Sequence, residues 1–539
     1  MTLLAGFLDV LLRGLGLVAL SAAVGGVSYA LWVLRPLASS SALLAAAVKR
    51  TLHLIVLGAT VLAASRLIVL VLLHPWTLAD DRGHWPVLEF FSTGFGRAGL
   101  VSVALALGLA AVAAWLRARP ASAGGWAAAA AIAVLLMADA AWLAHATSRL
   151  DGRVPLMVVT VFHQVGAVIW VGGLAHLIGF WRLRGGEHDA DRLATTVLGR
   201  FSVLAMLGVG LVVVPGLLLA RSYVGGWAGL IGTGYGVMVL TKVALLGATL
   251  ILGALNFFLV RACARGGPAA STAGRVRVIV EAEIGLGLTV LLAAASLTSL
   301  PPAVDVVADR ATPAEVAVRF LPRLPRLTSP PVGQLLAAAA PIADTLSTRQ
   351  PEEYAWSEYN HHTAGMFVFA MGLLAVLERT GRARWARHWP LLFLGLAAFL
   401  FVRNDPRAWP LGPAGFWESM VLPDVLQHRV TVLLVVALGI FEWLVRIGRL
   451  TRPRWRLAFP LLCATGGAVL LTHSHAMFNL KSEFLAEVSH APMGIFAVLM
   501  GWGRWIELRL PEAESRAPGW VWSLSFLLIG AILLSYREA

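Results

Sequence analysis

Residues 236–260 read GVMVLTKVALLGATLILGALNFFLV, twenty-five positions with one charge, Lys242. At about 1.5 Å of rise per helical residue this run is roughly 37 Å long, more than the ~30 Å of hydrocarbon in a bilayer. Working outward in both directions, thirteen more stretches have the same character, separated by charged or Pro/Gly-marked turns. With 236–260 the spans are 9–33, 51–73, 97–116, 126–146, 155–181, 200–220, 236–260, 279–298, 361–378, 389–403, 425–446, 456–473, 490–506 and 518–536. The tenth is the shortest. The pattern predicts an all-α polytopic membrane protein of about fourteen transmembrane helices, an eight-helix half followed by a six-helix half.

Composition excludes the alternatives. Apolar residues make up 58% of the 539 before the 53 glycines are counted, and charged residues only 13%, about half the usual share of a soluble domain. A water-soluble enzyme needs a more charged surface, and a disordered chain needs low hydrophobicity and high charge density. The net charge of +14 is therefore no sign of nucleic acid; in a membrane protein the placement of the Arg residues matters. Cys263 and Cys463, the two cysteines, supply neither a disulfide framework nor a Cys-based zinc site.

Residues 299–360 are Pro-rich and mixed in charge, and they divide an eight-helix domain at 1–298 from a six-helix domain at 361–539. Loops in one alternating set (34–50, 117–125, 182–200, 261–278, 379–388, 446–456, 504–517) hold 25 Lys and Arg, and the short loops and tail of the opposite set about nine. The first set is expected to face the cytoplasm. Both termini and the 299–360 linker then lie outside, in a multi-pass protein of the bacterial inner membrane. Arg13 ahead of the first apolar run resembles a signal peptide, but no Ala-x-Ala site follows in the expected window, so a retained helix is expected.

Ten of the fourteen histidines fall outside or in the outer third of a span on this orientation. In the second half His361 and His362 open one helix, His428 starts another, His473 and His475 close a third, and His490 opens a fourth. Neutral imidazole is the commonest metal ligand. His362 and Met366, His473 and Met477, and His490 and Met493 are three or four apart, so each pair shares a face on a continuous helix. Thioether beside imidazole favours copper, Cu(I) above all. Interfacial histidines also serve headgroups and water, and methionines pack cores; convergence of six imidazoles at one depth points to a metal or haem site. In the first half His145 ends the fourth span in WLAHATSR, and His163 lies in FHQVGAVIWVGGL. Asp139 lies about 9 Å below His145 by helical rise, with Arg66 at a similar depth. Unpaired charge there costs several kcal/mol, so the two either pair to fix packing or mark an ion path, as does Lys242. Glu281 and Glu283, at the start of the eighth span, read as interfacial caps.

The run from His145 through IWVGGL at 169–174, LTKVALLGATLILGALNFFLVRA at 240–262, VEAEIGLGLTVLLAAASLTSLPPA at 280–303 and STGFGRAGL at 92–100 resembles the copper resistance protein D family (CopD/PcoD), over about residues 1–303. The resemblance implies an eight-helix inner-membrane protein taking up copper from periplasm to cytoplasm, beside a periplasmic copper-binding partner of the CopC type. His145 matches a family histidine usually preceded by Gly, here Ala144. His163 matches the histidine ahead of the Trp-x-Gly-Gly-Leu turn, here Trp170 to Leu174.

Three functions follow. The first is copper transport or copper handling, with His361, His362, His428, His473, His475, His490, Met366, Met477, Met493, His145 and His163 as candidate ligands and Asp139, Arg66 and Lys242 along the path. The second is a haem b redox protein using His428 with His473 or His490. The third is a copper enzyme or assembly factor with a static external site. No catalytic residue is assigned, and a transporter or metal-handling protein is expected over an enzyme. No Walker loop occurs: GGWAGLIGTGYG at 225–236 reads as a flexible turn or packing element, so neither ATP nor nucleic acid is an expected partner. The surrounding partner is membrane lipid.

Overall fold

The computed structural model describes residues 2–149, 151–183, 190–265, 269–338, 350–421, 423–473 and 481–538. Among the described residues regular structure is helical, apart from one isolated bridge between Ala408 and Ala414. Fourteen of the helices are long and apolar enough to cross a membrane, as the sequence predicts. The eight earlier ones are α1 (Thr2–Tyr29), α2 (Ala42–Ile68), α3 (Gly94–Ala118), α4 (Ala123–Trp142), α5 (Arg153–Trp181), α6 (Ala190–Val224), α7 (Gly234–Ala264) and α8 (Ala269–Leu297). The later six are α9 (Pro351–Arg379), α10 (Leu392–Arg403), α11 (Pro423–Arg446), α12 (Ala458–His473), α13 (His490–Arg509) and α14 (Glu512–Leu534), where α10 and α12 reach spanning length together with the 3-10 segments Arg384–Leu391 and Pro453–Leu457 before them.

The chain divides into two compact units: Met1–Leu230, Met238–Ala308 and Thr472–Met477 form the first, and Ile231–Val237, Asp309–Leu471 and Phe478–Ala539 the second. Several helix starts in the first unit are set by side-chain caps. Ser41, Thr93 and Ser122 each accept a main-chain N–H of the first turn of α2, α3 and α4, which satisfies donors that hydrocarbon would leave bare. Within this unit α1 packs on α2, α5 and α8, α2 on α3, α3 on α4, and α5 on α6.

Lipid gives no hydrophobic drive to bring helices together, so small residues that let backbones approach matter most. Gly25 of α1 and Gly172 of α5 meet this way: a Cβ on Gly172 would stand 2.0 Å from the Ser21 carbonyl oxygen. In the second unit α9 packs on α14, and α13 packs on α14. There Gly372 faces the backbone of Leu527, and Gly530 that of Phe369. Helix α7 shows why these helices belong in lipid. Its buried stripe is Met238, Thr241, Leu245, Thr249 and Asn256, whereas Val243, Ile251, Leu255 and Phe258 are exposed. Its buried polar groups Thr241, Thr249 and Asn256 share the protein-facing stripe with Met238 and Leu245, and the exposed large side chains are apolar.

Candidate functional site

In the second unit, the Arg-poor ends of α9 and α13 carry His361, His362 and His490, and the chain after α14 returns Tyr536 between them. The rings of His361 and His490 lie 5.9 Å apart, nearly perpendicular at 84°. Tyr536 stacks on His361 at 3.9 Å and stands 6.0 Å from His490.

Hydrogen bonding sorts these imidazoles by tautomer. His361 Nδ1–H donates to the Ser357 carbonyl at 2.9 Å, one turn back on its own helix, which puts the ring's lone pair on Nε2. His490 Nδ1 faces the Glu487 carbonyl at 3.3 Å in the same sense. With metal–nitrogen bonds of about 2 Å, two imidazoles sharing an ion stand roughly 6 Å apart centre to centre, the separation seen here. His362 differs. It is fully buried, its Nδ1 accepts the Arg326 main-chain N–H at 2.7 Å, and its Nε2–H donates to the Tyr536 carbonyl at 2.9 Å. Both nitrogens are spent on main chain, so His362 ties the linker and the tail to α9. Beside it Glu358 accepts Arg323 through both oxygens, at 3.1 and 2.7 Å.

The other expected ligands are placed less centrally. His428 is exposed on α11. Met366 is 39% exposed, although four residues away His362 is buried, and Met493 is buried in α13. His473 ends α12; its side chain, with His475 and Met477, lies outside the described residues. Among the described residues no three of His, Cys, Asp and Glu converge as a metal cage.

In the first unit His145 opens a short 3-10 turn after α4 and hydrogen-bonds the Leu297 carbonyl. Burial pushes its imidazole below the ordinary 6.5, and the Leu297 carbonyl opposes this in part. His163 holds the Val212 carbonyl through Nδ1 at 2.9 Å and lies within electrostatic reach of Lys242. Arg66 lies within reach of Asp139, Asp9 and Arg13, and Asp139 accepts a hydrogen bond from Ser102. The expected Arg66–Asp139 neighbourhood is therefore part of a larger group. Sequence reasoning missed Asp9 and Arg13, joined at 2.6 Å, with His74 at 3.5 Å from Asp9. Two opposite charges four apart inside the first span were the available signal.

Glu283 overturns its expected role as an interfacial cap. Helix α8 begins at Ala269, so Glu283 lies about 21 Å along it, 5% exposed. It accepts Trp170 Nε1–H at 3.2 Å and Asn256 Nδ2–H at 3.0 Å. Glu281 pairs with Arg277 at 3.1 Å. In the second unit, α11 holds Glu442 against Arg446 at 2.7 Å, Arg446 also bonds Glu378, and Arg504 bonds Glu507 at 2.5 Å. The Trp389 and Trp522 indoles donate to Glu378 and Glu507. These ion clusters neutralise charge between helices.

No solved structure matches the chain. A copper transport protein of Bacillus subtilis (strain 168), CutJ, is 30% identical over 250 residues, 44% of this chain and 44% of that protein. The chain thus spans less than half the length of that relative. Residues 195–297 match the family model described as copper resistance protein D, the region that holds Lys242, Asn256 and Glu283. Over residues 195–297 this chain is thus similar to the copper resistance protein D family, within helices long and apolar enough to cross a membrane.

Proposed function

We propose that this chain admits copper across the bacterial inner membrane, from the periplasm towards the cytoplasm. The observation that carries the reading is the copper resistance protein D match at 195–297, which includes a helix with Thr241, Thr249 and Asn256 buried against the protein. Copper is the cargo. The excess of Lys and Arg in one set of loops supports an orientation with both termini in the periplasm, which puts His361 and His490 on the side where copper arrives. Two imidazoles with Nε2 lone pairs suit a soft, low-coordinate ion, Cu(I). A periplasmic copper-binding protein of the CopC type would supply it. His145, His163, Lys242 and the Arg66–Asp139 group mark the polar steps of the path in the first unit.

The test is copper accumulation in cells expressing the chain, with elemental analysis of the purified protein. Wild type is expected to raise cellular copper and to retain the metal through purification. The pair His361→Ala and His490→Ala is expected to lose most of the retained metal. Accumulation identical with and without the chain, in a protein that retains no copper, refutes the reading.

A further inference from the structure

A carboxyl buried in the middle of a membrane helix is expensive when charged, and among the described residues Glu283 has no ion-pair partner to offset it. Among the described side chains, the ionisable ones on α8 and the helices packed around it are Asp9, Arg13 and Tyr29 of α1, Arg153, His163 and His176 of α5, Arg200, Arg221 and Tyr223 of α6, Tyr235, Lys242, Arg261 and Cys263 of α7, and Arg275, Arg277 and Glu281 of α8 itself. Among the described residues the groups acting on the Glu283 carboxyl are instead two neutral donors, the Trp170 indole and the Asn256 amide. Each holds one carboxylate oxygen. Trp170, Asn256 and Glu283 are all more than nine-tenths buried.

This geometry separates two ligands. A hard metal ion wants several oxygens around it, and here both carboxylate oxygens already face N–H donors that would repel a cation. A proton needs only one oxygen. The two N–H donors leave each oxygen a further lone pair, so one proton can bind without either donor being displaced. We propose that Glu283 is a proton-binding carboxyl through which the first unit links copper movement to a proton. The step is the binding of one proton to one carboxylate oxygen and its later release. The coupling rests on the copper reading above, whereas the proton site itself does not.

The experiment is infrared difference spectroscopy of the whole chain in lipid vesicles, stepped in pH, without copper. Wild type is expected to show a protonated-carboxyl C=O band that appears as pH falls and is lost in Glu283→Gln. A second variant, Asn256→Leu, keeps the carboxyl and removes one donor, so the band is expected to persist at higher frequency. Wild-type and Glu283→Gln spectra that superpose, in protein that migrates as a single species on gel filtration, overturn the proposal. Proton uptake that accompanies copper entry in wild type and is absent in Glu283→Gln supports the coupling; unchanged copper-linked proton uptake in that variant overturns it. Failure of copper to enter at all counts against the transport reading and leaves the infrared result to decide the site.

Discussion

Replacing His362 by Ala distinguishes a structural histidine from a metal ligand. The ring is fully buried and joins two main-chain groups, the Arg326 N–H at 2.7 Å and the Tyr536 carbonyl at 2.9 Å. Its removal leaves the Tyr536 carbonyl without this partner in a buried place and the Arg326 N–H in a partly buried one that water can reach. The first costs about 1–3 kcal/mol and the second less, before any cavity term. His361 spends its Nδ1–H on a carbonyl of its own helix, so His361→Ala costs far less stability. His362→Asn should recover part of the loss, since its Oδ1 can accept the Arg326 N–H but the shorter chain falls short of Tyr536. Thermal unfolding of purified protein in detergent, paired with copper content, reads both quantities. The expected pattern is a clear fall in midpoint for His362→Ala and a fall in copper for His361→Ala. A His362→Ala protein that melts like wild type and has lost its copper would refute this assignment.

Two further outcomes follow. Gly172→Ala places a methyl 2.0 Å from the Ser21 carbonyl oxygen, and forcing α1 from α5 should destabilise the first unit by about 1–3 kcal/mol; an unchanged unfolding midpoint would show that this crossing is looser than described. His145 has a folded value below its ordinary 6.5 because of burial, so the unfolded chain takes up the proton first. Stability should therefore fall as pH drops below about 6.5, and this part of the slope should vanish in His145→Gln, measured as unfolding midpoint against pH; parallel slopes for the two proteins would exclude the effect.

The fold class was open to reading because hydrocarbon thickness sets a length that chance rarely meets. The stretch 236–260 became Gly234–Ala264, an error only at the ends. The imidazole group was legible as a depth and not as a geometry. His361 and His362 are adjacent, so on a helix they point about 100° apart, and one turns to His490 while the other is absorbed by main chain. Tyr536 gave no signal because it closes the expected 518–536 span, whereas the helix ends at Leu534 and leaves Tyr536 in a tail that no periodicity constrains. Glu283 was misread because the eighth helix was started at residue 279 and in fact begins ten residues earlier, at Ala269. An acidic pair near an assumed helix start looks like a cap; the same pair in mid-helix must find donors. Partners on other helices, here Trp170 and Asn256, cannot be inferred from spacing along one chain.

The placement of charge in α7 and its neighbours bears on what the first unit can move. Lys242 and Asn256 are fourteen residues apart, about 21 Å along the same helix, and Glu283 sits at the level of Asn256. Over that distance Lys242 and Glu283 cannot neutralise one another by contact, so each must settle its own cost in hydrocarbon. Lys242 does so beside His163, which offers no counter-charge, and Glu283 does so with two neutral donors. Both groups can shed their charge by exchanging a proton, and neither presents the paired soft donors that copper prefers. On the proposed reading the two jobs are therefore chemically distinct: the imidazoles of the second unit select the metal, while the isolated acid and base of the first unit answer to protons. A copper ion passing the first unit would then meet a neutral carboxyl or a carboxylate according to pH, which ties the rate of entry to proton supply.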